Sequence, residues 1–319
     1  MAFKRAYRLV AGPVGLSQLG PLSGGQKAAG IAGIPGSAIS AATTTTGILV
    51  GLQALDLSAL RATFVIKTKI GKPAHADIHV YNASQSTRNF LAATGVVGVS
   101  LSAGHVDDGM SQLFVGEIIS GPTHMDGPNY VTRLETTDKT TAMRSAIVKI
   151  PIPANATVYS VVVKILSAIN SNAKTYKTAP LGEGHTTKLL TSKLPTLWPR
   201  GGLLQGFALN CLDDVCKSAG LNWSIVQGAF LFTLSANGKG HGNPTLLTDT
   251  SGLVYSPGND GKGILNFRTL IMPGISLDRI VKLESKFVNG FYKIIEADFH
   301  GDTHGQDWTI HCKGSPVKT

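Results

Sequence analysis

LRATFVIKTKI (Leu60–Ile70) and HADIHVYN (His75–Asn82) decide the fold. In the first, Ala62, Phe64, Ile66 and Thr68 recur every second residue, and in the second Ala76, Ile78 and Val80 do the same. That period places each set on one face of a half-buried strand, with a turn at Gly71–Pro73 between them. Three further runs continue the series: VVGVSLSAG (Val96–Gly104), QLFVGEIIS (Gln112–Ser120) and NYVTRLETT (Asn129–Thr137). Gly, Asp and Pro clusters separate them, so the stretch reads as a five-strand unit that AMRSAIVKIPIP closes as an exposed extended segment.

Composition agrees with many short strands. The 319 residues contain 37 Gly and 15 Pro, too many for a helical bundle and without a collagen period. At 43% hydrophobic and 15% charged, the chain buries a core and is neither a disordered acidic tail nor a solvated coiled coil. Lys and Arg outnumber Asp and Glu 29 to 19, a formal charge of +10 that favours polyanionic or acidic partners. No compact Lys/Arg run with interleaved aromatics marks a dedicated nucleic-acid surface. Cys211, Cys216 and Cys312 form neither a paired framework nor a CxxC motif, which fits a reducing compartment.

The first 55 residues carry only Lys4, Arg5, Arg8 and Lys27 as charges. Gly12, Pro13 and Gly15 break any signal-peptide core, and the uncharged stretch from Ala28 to Leu55 holds too much Gly, Pro and Thr for a membrane span. It reads as a small-residue insertion.

Beyond the first unit, Thr157 caps a helix with Val158, Val161, Ile165 and Ile169 at helical spacing. Asn170–Gly206 reads as a basic extended connector, with Lys174, Lys177, Lys188, Lys193 and Arg200 as candidate lumen-facing or partner-facing cations. A second helix, about Phe207–Ala219, buries Leu209, Leu212, Val215, Cys216 and Ala219 and stops at Gly220; Cys211 falls on a different face. LNWSIVQGAFLFTL is a hairpin turning at Gln227–Gly228. The strands GILNFRTLI, ISLDRIVKLES, NGFYKIIEADF and DWTIHCKG follow. VSLSAG, LFVGEIISG and GPNYVTRL then find counterparts in IVKLES, GFYKIIEAD and GQDWTIHC, a repeat that aligns Gly127, Asn129 and Tyr130 with Gly305, Asp307 and Trp308.

Catalytic motifs are few. His75, Asp77 and His79 share one strand face, as do His300, Asp302 and His304, enough nitrogen and oxygen for a metal but equally an ordinary solvated face. No GxSxG elbow, HExxH or phosphate-loop motif is present, and GNDGKG (Gly258–Gly263) reads as a turn. The pairs Asp107 with Asp108 and Asp213 with Asp214 read as solvated faces. The residues therefore name no catalytic group, metal or cofactor.

The order and spacing of LRATFVIKT, HADIHVYNASQSTRNFL, VSLSAGHVDDGMSQLFVGEI and YVTRLETTD, and later of CLDDVCKSAGLNWSIVQGAFLF through NGFYKIIEADFHGDTHGQDWTIHCKG, resemble the baseplate hub proteins of contractile-tailed phages. The resemblance covers about Leu57–Gly314. Its Tyr-Asn-x-Ser and Thr-Arg passage matches Tyr81, Asn82, Ser84, Thr87 and Arg88. Its Gly-Leu and Pro-Gly passage matches Gly252, Leu253, Pro273 and Gly274, and its closing His-x-Asp and Trp match His300, Asp302 and Trp308. Tyr7–Gly12 is similar to the usual opening, whereas Pro13–Val50 departs from the pattern; a partner-contact arm is the reading preferred for it.

The resemblance implies a mainly β fold with a few helices (α+β): two tail-tube-like antiparallel β-barrel domains with intervening helices. The expected parts are an N-terminal segment (1–56), a first barrel (57–153), a helical and hairpin connecting region (154–243) and a second barrel (244–319). It implies a homotrimer that caps the tail tube and adapts its sixfold symmetry to a threefold central spike. Expected partners are the spike, the tail tube or tube-initiator proteins, and also the tape measure protein and baseplate wedge. Nucleic acid would be met only in transit, and no membrane insertion is expected. The place would be the virion tail baseplate, assembled in the host bacterial cytoplasm. The hub of a bacterial phage-like contractile particle is the alternative, with a metal-dependent enzyme built on His75, Asp77 and His79 as the reading from another class.

Overall fold

The computed structural model describes residues 4–12, 54–92, 97–138, 141–172, 189–191, 194, 197–226, 229–234, 241–259, 261 and 263–317. The whole Pro13–Val50 insertion expected from the sequence, the hairpin turn at 227–228, and Lys174, Lys177, Lys188 and Lys193 lie outside them.

The chain is mainly β, and 14 of its strands join one large sheet. The first half contributes β1 (Arg5–Gly12), β2 (Leu55–Asp56), β3 (Ala62–Lys69), β4 (His75–Tyr81), β5 (Gly98–His105), β6 (Gly109–Ser120), β7 (Thr123–Asp126) and β8 (Asn129–Thr137). The second contributes β13 (His241–Thr248), β14 (Leu253–Asn259), β15 (Leu265–Leu270), β16 (Arg279–Glu284), β17 (Asn289–Asp302) and β18 (Trp308–Pro316). Alternation works as expected in β3 and β4: Ala62, Phe64, Ile66, Ala76, Ile78 and Val80 are all buried.

The repeat read from the sequence is a repeat of topology. In the first unit two hairpins, β3–β4 and β5–β6, are bridged by β8, which pairs with β4 on one side and β6 on the other. In the second unit β14–β15 and β16–β17 are bridged in the same way by β18. The added strand differs: β1 lies antiparallel on β5, whereas β13 lies parallel on β16. One apolar core serves both units, running from Leu9 and Phe64 to Trp308 and Cys312.

A second core forms around α2 (Thr141–Ser145), α3 (Val158–Asn172) and α4 (Ala208–Ser218), together with the ribbon of β9 (Ile147–Ile152) and β10 (Gly202–Phe207) and the hairpin of β11 (Leu221–Val226) and β12 (Ala229–Leu234). Thr157 caps α3 as expected, its Oγ1 accepting from Ser160 N at 3.2 Å. The helix then buries Val158, Val161, Ile165 and Ile169. Gly220 ends α4 with φ 69°.

Two expectations need correction. AMRSAIVKIPIP is not an exposed extended segment: it forms α2 and β9, and Val148, Ile150 and Ile152 enter the second core against β10. The basic connector read from Asn170 is helical at its start, where α3 runs to Asn172, and its extended end Gly202–Phe207 is the paired strand β10. β9 and β10 lie far apart along the chain, so their pairing leaves no local signal. Cys211 is also buried beside Cys216, although both are free thiols. Burial pushes the Cys216 thiol up to about 12, so it stays protonated and inert. No helix among the described residues is long and apolar enough to cross a membrane.

Candidate assembly edges and the joint between the units

The two units meet where β17 pairs with β3, from Glu296↔Lys69 to Asp302↔Thr63. The sheet therefore passes from one unit into the other through backbone hydrogen bonds. Side chains reinforce the ladder: Glu296 binds Lys69 at 3.1 Å and Lys313 at 3.0 Å, and Arg61 binds Asp302 at 3.0 Å. Burial raises the Glu296 carboxyl, but the two lysines outweigh it and hold the group below its ordinary range. Asp302 follows the same balance, with burial opposed by the His304 N–H and Arg61.

Arg5 clasps the joint from β1. It donates to the carbonyls of Asp302 and Gln306, both at 2.8 Å, and to that of Gly305 in the β17–β18 turn. Inside, Trp308 meets Phe64 edge-on at 5.6 Å and donates its indole N–H to Gly104 O at 3.1 Å, so one side chain ties both units together. Gly301 makes this possible, because a Cβ there would come within 2.2 Å of the Phe64 ring.

The repeat identifies the counterparts of this joint. Topologically β14 is the equivalent of β3, and the end of β6 with β7 is the equivalent of the β17 stretch that β3 covers. Among the described residues both lack a second strand neighbour. All four residues of β7 are exposed, and β14 exposes Val254, Tyr255 and Ser256. Beside β7 a cleft of about 440 Å³ opens between Arg88 and Asn89 of α1 (Gln85–Leu91), Met125 and Tyr130. Ser84 starts this helix by accepting from Thr87 N, and Arg88 stacks over the Tyr130 ring at 4.2 Å.

The histidine motifs are placed differently from a metal centre. Asp77 is engaged by the Arg133 guanidinium, with contacts of 3.0, 3.1 and 2.7 Å, and by His79 at 3.3 Å. A cation already fills its coordination sphere, and Arg133 also reaches Glu135 at 3.3 Å. Asp302 is spent on Arg61 and the His304 N–H, while His300 stacks on His311 with ring centroids 4.5 Å apart. No cluster of three or more His, Cys, Asp or Glu suited to a metal occurs among the described residues. Gly258–Gly263 falls at the end of β14 and in the loop after it; Asp260 and Lys262 lie outside the described residues. Asp213 accepts from the Trp223 indole at 2.6 Å. Arg200 is exposed in the turn before β10.

What the sequence reading missed is the pair of edges. β7, β13 and β14 were not read as strands, and α1 was not read as a helix, although Ser84 followed by Thr87 carries a cap signal.

No family model matches the chain, and no curated protein matches it in sequence. Solved structures do. A tail protein from Neisseria meningitidis superposes with a TM-score of 0.51 at 9% identity, covering 79% of this chain and 91% of that one. The 43 kDa tail protein of prophage MuSo2 from Shewanella oneidensis gives 0.52 at 7% identity, covering 81% and 98%. An E. coli component of the type VI secretion system, described as similar in structure to the T4 tail proteins gp27 and gp5, gives 0.51 at 13%, covering 81% and 74%. The chain is thus similar in fold to phage tail proteins and to a protein of a secretion apparatus.

Proposed function

We propose that the chain is a structural component of a contractile phage tail, the baseplate hub, and that it works without catalysis. The duplicated five-strand unit carries this reading. Two similar units in one chain let three chains present six similar units to a hexameric tube and a threefold face to a spike. The likeness in fold to tail proteins supports the same placement. In this reading 57–153 and 244–319 are the tube-like units and 154–243 the connecting region, with β9 packing on the connecting side and β1 completing the first unit. The homotrimer binds the central spike on one face and tube or tube-initiator proteins on the other, within reach of the tape measure protein and the wedge. It belongs to the virion tail and is assembled in the host cytoplasm, with nucleic acid only passing through. Exposed Arg200 is a candidate partner-facing cation.

The likeness to the secretion-system component favours a second reading with the same geometry, the hub of a bacterial phage-like contractile particle. Light scattering of the purified chain, alone and co-expressed with spike and tube proteins, tests the assembly. Three copies of the chain per particle, alone or with the partners' mass added, support it, and a monomer that binds neither partner contradicts it.

A further inference from the structure

We propose that copies of this chain join edge to edge, β14 of one copy adding to the open edge of β6 and β7 of the next, and that these seams differ in chemistry from the joint inside each copy. The inference rests on the trimeric reading above, and takes its geometry from the joint already present. Within the chain β3 covers the stretch Glu296–Asp302 of β17. Aligning Asn129 with Asp307 and Tyr130 with Trp308 makes Ser120–Asp126 the equivalent stretch of the first unit, and among the described residues no strand lies on its outer side. β3 begins its ladder with Ala62 opposite Val80, and β14 begins its own with Leu253 opposite Thr269. Thr63 and Tyr255 are then equivalent, since each is the next partnered residue, with one residue of bulge in β14. Thr63 lies opposite Asp302, so the seam sets Tyr255 opposite Asp126 of the neighbouring copy, the strands antiparallel.

The two edges also match as surfaces. Met125 is 66% exposed, Tyr255 63% and Tyr130 44%, with Val254 beside them. Side chains this large rarely stay bare along an unpaired strand, because such an edge invites promiscuous pairing. Pro122 and Pro257 each remove a backbone donor and keep the ladder short, which limits pairing with wrong partners. The joint inside the chain relies on Glu296, Lys69, Lys313, Arg61 and Asp302. On the outer edges Asp126 is the one acid, and β14 carries no charge. A closed ring of three therefore alternates joints held by several ion pairs with seams in which Asp126 is the one acid and Arg268 overlies the Tyr255 ring at 5.6 Å.

Cysteine cross-linking tests this. Tyr255→Cys combined with Asp126→Cys places thiols on both edges at exposed sites that leave the protomer core intact, and strand pairing brings their Cα atoms to about 5 Å, within disulfide reach. In the preparation that light scattering shows to be trimeric, mild oxidation is expected to convert most chains to dimers and trimers on a non-reducing gel. The pair Asp56→Cys with Tyr255→Cys should give none. The native Cys211, Cys216 and Cys312 are buried and free. In the unmodified chain, raising salt tenfold should leave the trimer mass unchanged, whereas Tyr255→Asp should abolish it without changing the protomer's circular dichroism. A trimer that fails to cross-link, or that salt dissociates, overturns the seam and leaves the hub reading standing. A monomer in every preparation overturns both.

Discussion

The two cores are built by opposite rules. The first draws from both ends of the chain: Leu9, Phe64, Ile118, Phe267 and Trp308 share it, and the β17–β3 joint pairs residues from its two halves. The second is drawn from one contiguous stretch, from Met143 to Phe232. Closing long loops costs entropy before any contact repays it, so the first core, supplied by both units, is the costlier to close. The second can assemble from neighbours in sequence. This division separates the two: the sheet with the candidate edges draws on both halves of the chain, and the helical module is inserted between them.

The largest expected effect is on the shared core. Trp308→Ala removes the Phe64 contact and the bond to Gly104 O, and should cost about 3–5 kcal/mol. Hydrogen exchange should show protection lost in both units at once; loss confined to β15–β18 would mean two independent barrels. Ile165→Ala in α3 should cost about 2–5 kcal/mol. Its lost protection should fall on α3, α4 and the β11–β12 hairpin, and a sheet that loosened equally would erase the distinction between the cores. Thr157→Ala sharpens the same comparison with a milder change, about 1 kcal/mol by thermal melting, confined to the second core.

Acid should act mainly on the first core. Burial lowers both His300 and His311; Arg268 adds to it at His300 against Asp298, and at His311 the His300 imidazole and then Arg268 add to it. Their folded-state values lie below the ordinary 6.5, so their contribution is present above that pH and is lost as pH falls through the lowered values. Glu296 and Asp302, also lowered, lose theirs further into acid. Asp298, raised by burial and by Glu296, works the other way. Glu296→Gln should therefore cost only about 0.5–1 kcal/mol at neutral pH, because the pair is partly exposed, and should flatten the acid slope. An unchanged slope would remove Glu296 from the joint's account.

What was legible in the sequence follows the same physics. β3, β4, β8, α3, α4 and the β11–β12 hairpin each bury one face against near neighbours, so their period survives in the residues. The repeat was visible because β5, β6 and β8 share their turns and aromatics with β16, β17 and β18. β14 was not, because an edge strand has one neighbour: LVYSPGN shifts register at Pro257 and exposes consecutive residues. β7 has no buried residue and hence no pattern. β9 alternates, but its partner β10 lies beyond a long connection, and only the pairing reveals it as core. The surroundings of the alternative metal face were hidden for a related reason: sequence shows Asp77 between two histidines, whereas Arg133 reaches it from another strand. The edges and the joint were the least readable parts because an edge strand has one neighbour in the chain and the joint pairs strands far apart in sequence.

The central claim is that each chain supplies two equivalent units to one closed ring. Electron-microscopy class averages of the assembled particle, viewed down its axis, test it most directly. Six similar lobes repeating with threefold symmetry are predicted, and a ring of three lobes or a twofold particle would contradict it.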